Sequence, residues 1–258
     1  MTETTLIPSQ RQEEIHALLQ KRRFASVKAL ANALGVSEMT IRRDLEVLAL
    51  RGVVERVFGG AQLVEKSGQE QGFVKRLSEN TEAKERIARK ALELVFDGDT
   101  VAIDASTTSV FLARQLNGRE ISVVTNSLLV AQALADSRTQ VLVLGGSHRV
   151  VAGSLTGPVT EANLQGIHVD KVFFSAKGVS ANAGFTDPHL PEVAVKRLLL
   201  AAASQRVALV DKSKFGQTAL HSFAPLSGAN LLISDANPPV DIRDGLEAAG
   251  ASVEVASG

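Results

Sequence analysis

From residue 100 onward, short apolar runs alternate with helical stretches, and no other feature of the chain narrows its fold as much. The strand-like runs fall at 100–103, 121–125, 140–144, 171–175, 206–210, 231–234 and 252–255. Helical periodicity separates most of them, over 82–95, 109–116, 127–135, 192–203 and 242–249. A parallel pair of strands needs a long crossover between its members, usually a helix, whereas antiparallel strands need only a hairpin. The alternation therefore predicts an α/β fold: a Rossmann-like parallel sheet covered on both faces, with ligand-binding loops at the C-terminal strand ends.

The first 60 residues follow a different pattern. Ser9 is placed to cap a helix with Ile15, Leu18 and Leu19 on its inner stripe, and Lys21, Arg22 and Arg23 in its last turn suit the helix dipole. A second short helix follows Ser26, with Ala29, Leu30, Ala33 and Leu34 expected inward and Gly35 as its stop. Ser37 then caps a third helix reaching about Leu50, with Ile41, Leu45 and Leu48 inward and Gly52 ending it. Two short helices joined by a tight glycine-containing turn form a helix-turn-helix pattern. The run 53–58, ending in Gly59 and Gly60, reads as strand and makes the unit winged. No apolar residue occurs over 65–72. The expected organisation is a winged helix-turn-helix DNA-binding domain at 7–62, a linker at 63–74 and a larger domain at 75–256.

Charge locates the contact surface. Twenty-eight Lys and Arg balance 28 Asp and Glu, which excludes a protein that coats polyanions through bulk charge. Between residues 21 and 56, however, eight basic residues face four acidic ones. On the third helix, Ser37, Thr40, Arg42 and Arg43 lie off the inner stripe near the N-terminal end. That is the end of a recognition helix that meets base edges in the major groove. Arg56 and the backbone of Gly59 and Gly60 are expected to contact phosphate or the minor groove. The competing reading pairs Arg42 and Arg43 with Asp44 or Glu46 on an ordinary solvated helix. The chain has no cysteine, hence neither disulfides nor thiolate metal sites. Residues 1–10 lack the order of a signal peptide and no apolar run approaches a membrane span, so the expectation is a cytoplasmic protein without membrane contact. Trp and Tyr, the stacking platforms for single-stranded nucleic acid, are absent.

The larger domain has polar loops after its strands. Asp104, Ala105, Ser106, Thr107, Thr108 and Ser109 join a strand to a helix; ordinary N-capping needs one hydroxyl, and a run of four Ser and Thr beside free N–H groups points beyond it to an anion site. Asn126 and Ser127 repeat the arrangement after the next strand, and Gly145 and Gly146 follow the third. Asp211, Lys212, Ser213 and Lys214 leave a later strand with two lysines that either supply charge to a phosphate or are simply solvated. The rival class is a sugar-phosphate isomerase or deaminase-like enzyme, for which Asp170, Lys177 and Glu192 are the candidate acid–base groups. No second carboxylate lies close to Asp170 in sequence, and fusion to a DNA reader favours sensing over turnover. The five histidines lack metal-ligand spacing, and no cofactor is expected.

The segment Val36-Ser37-Glu38-Met39-Thr40-Ile41-Arg42-Arg43-Asp44-Leu45, followed by Arg56-Val57-Phe58-Gly59-Gly60-Ala61, closely resembles the winged helix-turn-helix of DeoR-family bacterial transcription regulators. The loop sequences Asp-x-Ser-Thr-Thr, Val-Thr-Asn-Ser, Leu-Gly-Gly, Gly184-Phe185-Thr186, Glu192 and Asp211-Lys-Ser-Lys-Phe-Gly occur in the order of that family's sensor domain. The resemblance spans roughly residues 9–235. It implies a C-terminal sheet related to ribose-5-phosphate isomerase, serving effector sensing and oligomerisation. It also implies a regulator, not an enzyme: a repressor of sugar or related carbon metabolism genes that binds double-stranded operator DNA as a homo-oligomer, dimer or tetramer, under a phosphorylated sugar or similar metabolite. Its matched positions point to Asp104, Ser106, Thr107, Thr108, Asn126, Ser127 and Lys212 as effector residues, with Gly146 and Lys177 beside them. In one departure, Ser106 stands where the family usually has Gly before Thr-Thr.

Overall fold

The computed structural model describes residues 8–22, 24–50, 53–57, 59–63 and 72–256. The chain divides into two compact units, Met1–Gln69 and Glu70–Gly258.

In the first unit, helices α1 (Pro8–Arg22), α2 (Val27–Leu34) and α3 (Glu38–Leu50) pack beside a three-stranded antiparallel sheet. Its strands are β1 (Phe24–Ser26), β2 (Val54–Val57) and β3 (Gly60–Leu63), in the order β1-β3-β2. Helix α1 begins at Pro8, one residue before the expected cap Ser9, because proline's fixed φ suits the first helical turn. Ser26 caps α2 by accepting the Ala29 N–H, and Gly35 closes it in the left-handed region at φ 65°. The inward face of α2 is Val27, Leu30 and Ala31, with Leu34 half-buried; the expected Ala29 and Ala33 face water. Alanines bind a stripe weakly, and Val27 shifts the balance by one residue. Ile15, Leu19, Leu30, Ile41 and Leu45 form the centre of this core. Gly52, Arg23, Arg51, the side chains of Lys21, Arg22 and Arg56, and linker residues 64–71 lie outside the described part.

The second unit is built on a seven-stranded parallel sheet. Its members are β4 (Thr100–Ile103), β5 (Ser122–Thr125), β6 (Gln140–Val143), β9 (Val169–Phe174), β12 (Ala203–Leu209), β14 (Leu231–Ser234) and β15 (Ser252–Val255). Every expected strand is present, in the order β15-β14-β12-β9-β4-β5-β6. Side chains alternate between two cores. Val101, Ile103 and Phe173 face one with Ile87 and Leu112; Ala102, Val172 and Phe174 face the other with Phe185 and Leu199. Helices α5 (Thr81–Leu92), α6 (Thr107–Gln115), α7 (Leu128–Ala133), α9 (Leu190–Ala202) and α10 (Val240–Ala248) fall within one or two residues of most expected positions, while α4 (Phe73–Ser78) and α8 (Pro158–Asn163) are additional.

The additional strands are a hairpin, β7 (Ser147–Arg149) with β8 (Ser154–Thr156), and a small antiparallel sheet of β10 (Gly178–Ser180), β11 (Gly184–Asp187) and β13 (His221–Ala224). Phe174 of the main sheet meets Phe185 of the small one edge-to-face, with ring centres 5.2 Å apart. From β4 the chain runs outward through β5 and β6, then returns to add β9, β12, β14 and β15 on the other side. The order thus reverses between β4 and β9, where the C-terminal strand ends leave a crevice. Among the described residues no helix is long and apolar enough to cross a membrane.

Candidate nucleic-acid interface and effector cleft

Helix α3 buries Ile41, Asp44, Leu45 and Leu48 and exposes Met39, Arg42, Arg43 and Glu46. These exposed positions recur at i, i+3, i+4 and i+7, so they share one face opposite the core. Ser37 caps the helix, accepting the Thr40 N–H at 3.2 Å, and its hydroxyl lies 2.9 Å from that of Thr40. Arg42 makes an exposed i,i+4 contact with Glu38 at 3.6 Å, an interaction of little net worth at the surface. Arg43 has no ion-pair partner among the described residues. The local pairing with Asp44 does not occur: Asp44 is buried, accepting from Arg11 Nε at 2.6 Å and Gln12 Nε2 at 3.2 Å. The pattern of charges did not single out Met39, which is 62% exposed and has the chemistry to meet a thymine methyl.

In the wing, Gly59 is exposed at φ 80° and its carbonyl accepts the Val27 N–H at 3.0 Å. Gly60 is buried, pairing with both β1 and β2. A Cβ there would lie 2.3 Å from the Ala25 carbonyl oxygen, so close approach of β1 explains this glycine; contact with a phosphate does not. Arg56 stands opposite Ala61 in the ribbon.

The crevice of the second unit is a cleft of about 620 Å³, counting its open mouth. Three adjacent strands end in it. After β4 come Ser106, Thr107 and Thr108; after β9, Ser175, Ala176 and Lys177; after β12, Asp211 and Lys214. Arg76 of α4, with Glu79, Asn80 and Lys84, closes one side, and Asp187, Glu192, Lys196 and the hairpin residue Ala152 close the other. Ser106 caps α6, accepting the Ser109 N–H at 3.2 Å.

Asp104 lies beneath this surface and does not line it. Its carboxylate accepts the Ser106 and Ser175 N–H groups at 3.1 and 3.0 Å and the Ser109 hydroxyl at 2.6 Å, and it pairs with Lys196. Burial alone would raise this carboxyl, but Lys196 and the Ser109 and Ser175 donors outweigh it and hold it below the usual carboxylate range. Burial alone would likewise lower Lys196, yet Asp104, Asp187 and Glu192 together hold it above the ordinary lysine value. Lys196 also donates to the Ser175 carbonyl at 2.9 Å. One buried pair thus ties the β4 loop, the β9 end and α9 together. Asp187 is raised, chiefly by burial, against the opposing pull of Lys196 and Lys177.

Lys84 is 3% exposed and donates to the carbonyls of Arg76 and Glu79, the latter at 2.6 Å. Burial, first, lowers it, with Asp211 pulling the other way. Sequence reading passed it over, although a lysine in register with Ile87, Ala88 and Ala91 on a buried stripe was an available signal.

The structure brings Ser106, Thr107, Thr108 and Lys177 together in the cleft, with Asp104 as support. Asn126, Ser127, Gly146 and Lys212 lie outside its lining. Asn126 Nδ2 donates to the Leu155 carbonyl at 3.0 Å, holding the hairpin, and Ser127 caps α7 through Val130 N–H. Gly146, at φ 141°, admits α8: a Cβ would lie 2.0 Å from the Thr160 hydroxyl. Lys212 borders a separate groove with Arg86 and Asp235, because the short turn over Lys212–Lys214 directs Lys214 to the cleft instead. Asp170 accepts the Thr100 N–H at 2.8 Å, at the end of the strands away from the cleft, and so is separated from Lys177 and Glu192. Among the described residues no three His, Asp or Glu side chains cluster as metal ligands.

Residues 11–67 match the family model described as the DeoR-like helix-turn-helix domain, and residues 79–236 match the DeoR C-terminal sensor domain. A transcriptional regulator of Haloferax volcanii, GlpR, is 34% identical over 96% of this chain and 98% of its own length. The lactose phosphotransferase system repressor of Streptococcus mutans is 37% identical, over 88% and 91%. The L-fucose operon activator of Haemophilus influenzae is 33% identical, over 90% and 94%. Among solved structures, ribose 5-phosphate isomerase A of Methanocaldococcus jannaschii superposes with a TM-score of 0.40 at 17% identity, over 53% of this chain and 55% of that one.

Proposed function

Because the chain belongs to the DeoR family of DNA-binding transcriptional regulators, we propose that it is a repressor of sugar or related carbon metabolism genes, released from its operator by a phosphorylated metabolite. The relatives it matches are regulators, not enzymes. Residues 7–62 read the DNA, 63–74 connect, and 75–256 sense the effector and carry the oligomer contacts, all in the cytoplasm where the operator lies. The observation that carries the DNA half of this reading is the exposed face of α3, where Arg43 stands without an ionic partner among the described residues beside Met39 and Arg42. Such a helix inserts its N-terminal half into the major groove, Arg reaching guanine O6 and N7. One winged helix reads too few base pairs for genomic specificity, so two copies bind paired half-sites as a symmetric oligomer.

The effector occupies the crevice. Its phosphate meets the N–H groups and hydroxyls at the start of α6, with Lys84 and Lys214 supplying positive charge. Occupancy favours the arrangement of the DNA-reading heads that fits the operator less well.

Gel-shift titration against wild-type and base-substituted operators tests the DNA half. Arg43→Ala should lose about 1–3 kcal/mol and relax preference at one base pair; an equal loss on all sequences would make Arg43 a backbone contact. Thr107→Ala should leave operator affinity intact and abolish release by effector. An unchanged effector titration refutes the pocket.

A further inference from the structure

The charged groups around the cleft fall into two sets. Lys84, Arg76, Glu79, Asp211 and Lys214 come from α4, α5 and the end of β12, and they influence one another. Asp187, Glu192, Lys177 and Lys196 come from β11, α9 and the end of β9, and form a second set of mutual influence. The proposed phosphate site uses the first set and the start of α6. The second contains two carboxylates that this reading leaves unused.

Both are nine-tenths buried yet line the cleft. The two contacts made by Glu192, with Arg149 Nη1 at 2.9 Å and with the Ser154 hydroxyl, fall on the same oxygen, Oε1. Oε2 has no partner among the described residues. Asp187 accepts the His189 N–H at 3.1 Å through Oδ1, and its Oδ2 is likewise without a hydrogen-bond donor there. Neither Oε2 nor Oδ2 is sealed in protein as a buried orphan, so water or a ligand reaches both. A carboxylate is an acceptor only, so two open carboxylate oxygens demand hydroxyl or amine hydrogens, which a phosphate dianion, itself an acceptor, does not supply.

We propose that Glu192 and Asp187 are the specificity-determining residues of the cleft: their open oxygens accept hydroxyl hydrogens at the unphosphorylated end of the effector, so the site takes a polyhydroxylated ligand with a single anionic end and discriminates against bisphosphates. The inference rests on the phosphate reading given above and adds the chemistry of the other end.

Titration calorimetry of the full chain with inorganic phosphate, fructose 6-phosphate and fructose 1,6-bisphosphate tests it. The wild-type protein is expected to bind the monophosphate at least tenfold more tightly than the bisphosphate. Glu192→Gln, and separately Asp187→Asn, should tighten the bisphosphate by about tenfold, the effect of removing one like charge at close range, while leaving inorganic phosphate within twofold. The phosphate readout is one that a merely structural role for Glu192, through its hold on Arg149, would move. Equal binding of the two sugar phosphates by the wild type, or parallel loss of all three ligands in both variants, overturns the inference alone. If inorganic phosphate fails to bind, or binds Thr107→Ala as well as wild type, the phosphate reading falls and this one with it.

Discussion

Arg11→Met is expected to unfold the DNA-reading unit while leaving the sensor unit folded. Asp44 sits on α3 next to Arg43, but its side chain is only 6% exposed and accepts from Arg11 Nε at 2.6 Å and from Gln12. Removing the guanidinium leaves a buried carboxylate with one amide donor, and breaking such a pair costs about 3–5 kcal/mol. A unit of this size has a total stability of about 3–9 kcal/mol, so the loss is comparable to the whole. Hydrogen exchange of the α3 amides in the full chain, with urea unfolding, reads this out separately from β4 and β9. The charge, not the packing, is responsible, so Arg11→Met combined with Asp44→Leu should recover most of the loss. A single-variant cost below about 1 kcal/mol, as at an exposed pair, would refute the reasoning. So would a double variant no more stable than Arg11→Met.

Lys214→Met should weaken effector-induced release from the operator by tenfold or more, whereas Lys212→Met, bordering the neighbouring groove, should change it less than threefold; gel-shift titration of both variants decides, and the reverse order would show that the turn over Lys212–Lys214 directs its side chains differently on binding. Asp104 is held below the usual carboxylate range, so its contribution to stability is fully present above the unfolded value near ~4 and is lost as pH falls through the lower folded value. Asp104→Asn should therefore be markedly less stable than wild type at neutral pH, with the gap closing on acidification below about pH 4; urea midpoints at both ends of that range measure it, and a constant gap contradicts the assignment.

The central parallel strands were legible because they are buried on both faces and read as apolar runs between turn signals, as Val-Phe-Phe does at 172–174, while the exposed edge strands β6 and β15 were legible from their valines and leucine and their place in the alternation with helices. The hairpin and the small sheet escaped notice for the opposite reason. Ser147–Arg149 and Gly178–Ser180 are three residues long, the first wholly polar and the second with Val179 as its one apolar side chain, so no local period marks them as strand. Their pairing follows from tertiary contacts such as Glu192 with Arg149 and Phe185 with Phe223. In the cleft, Ser106, Thr107 and Thr108 were visible because hydroxyls and helix start are adjacent in sequence. Lys84, Asp187 and Lys196 were not, since they are distant from that loop in sequence and only the fold brings them near it. The choice between Lys212 and Lys214 depends on the register of a single short turn.

The same distinction explains why motif residues divide between contact and support. A loop that must hold several N–H groups toward an anion cannot be loose, because misdirected donors lose most of their worth. In this chain the loop is fixed from below: Asp104 gathers the Ser106 N–H, the Ser109 hydroxyl and the Ser175 N–H, and Lys196 balances its charge. A buried ion pair of this kind adds little net stability, since desolvation offsets most of the attraction. It does require particular partners in particular places, which apolar packing would not. Asn126, Ser127 and Gly146 do for the hairpin, α7 and α8 what Asp104 does for α6. Polar residues at strand ends therefore mark the neighbourhood of the cleft, while which of them lines it depends on side-chain direction. On the function proposed above, effector contact at this cleft falls to Thr107, Thr108, Lys84 and Lys214, which line it, and Asp104 acts through the geometry it imposes on the loop.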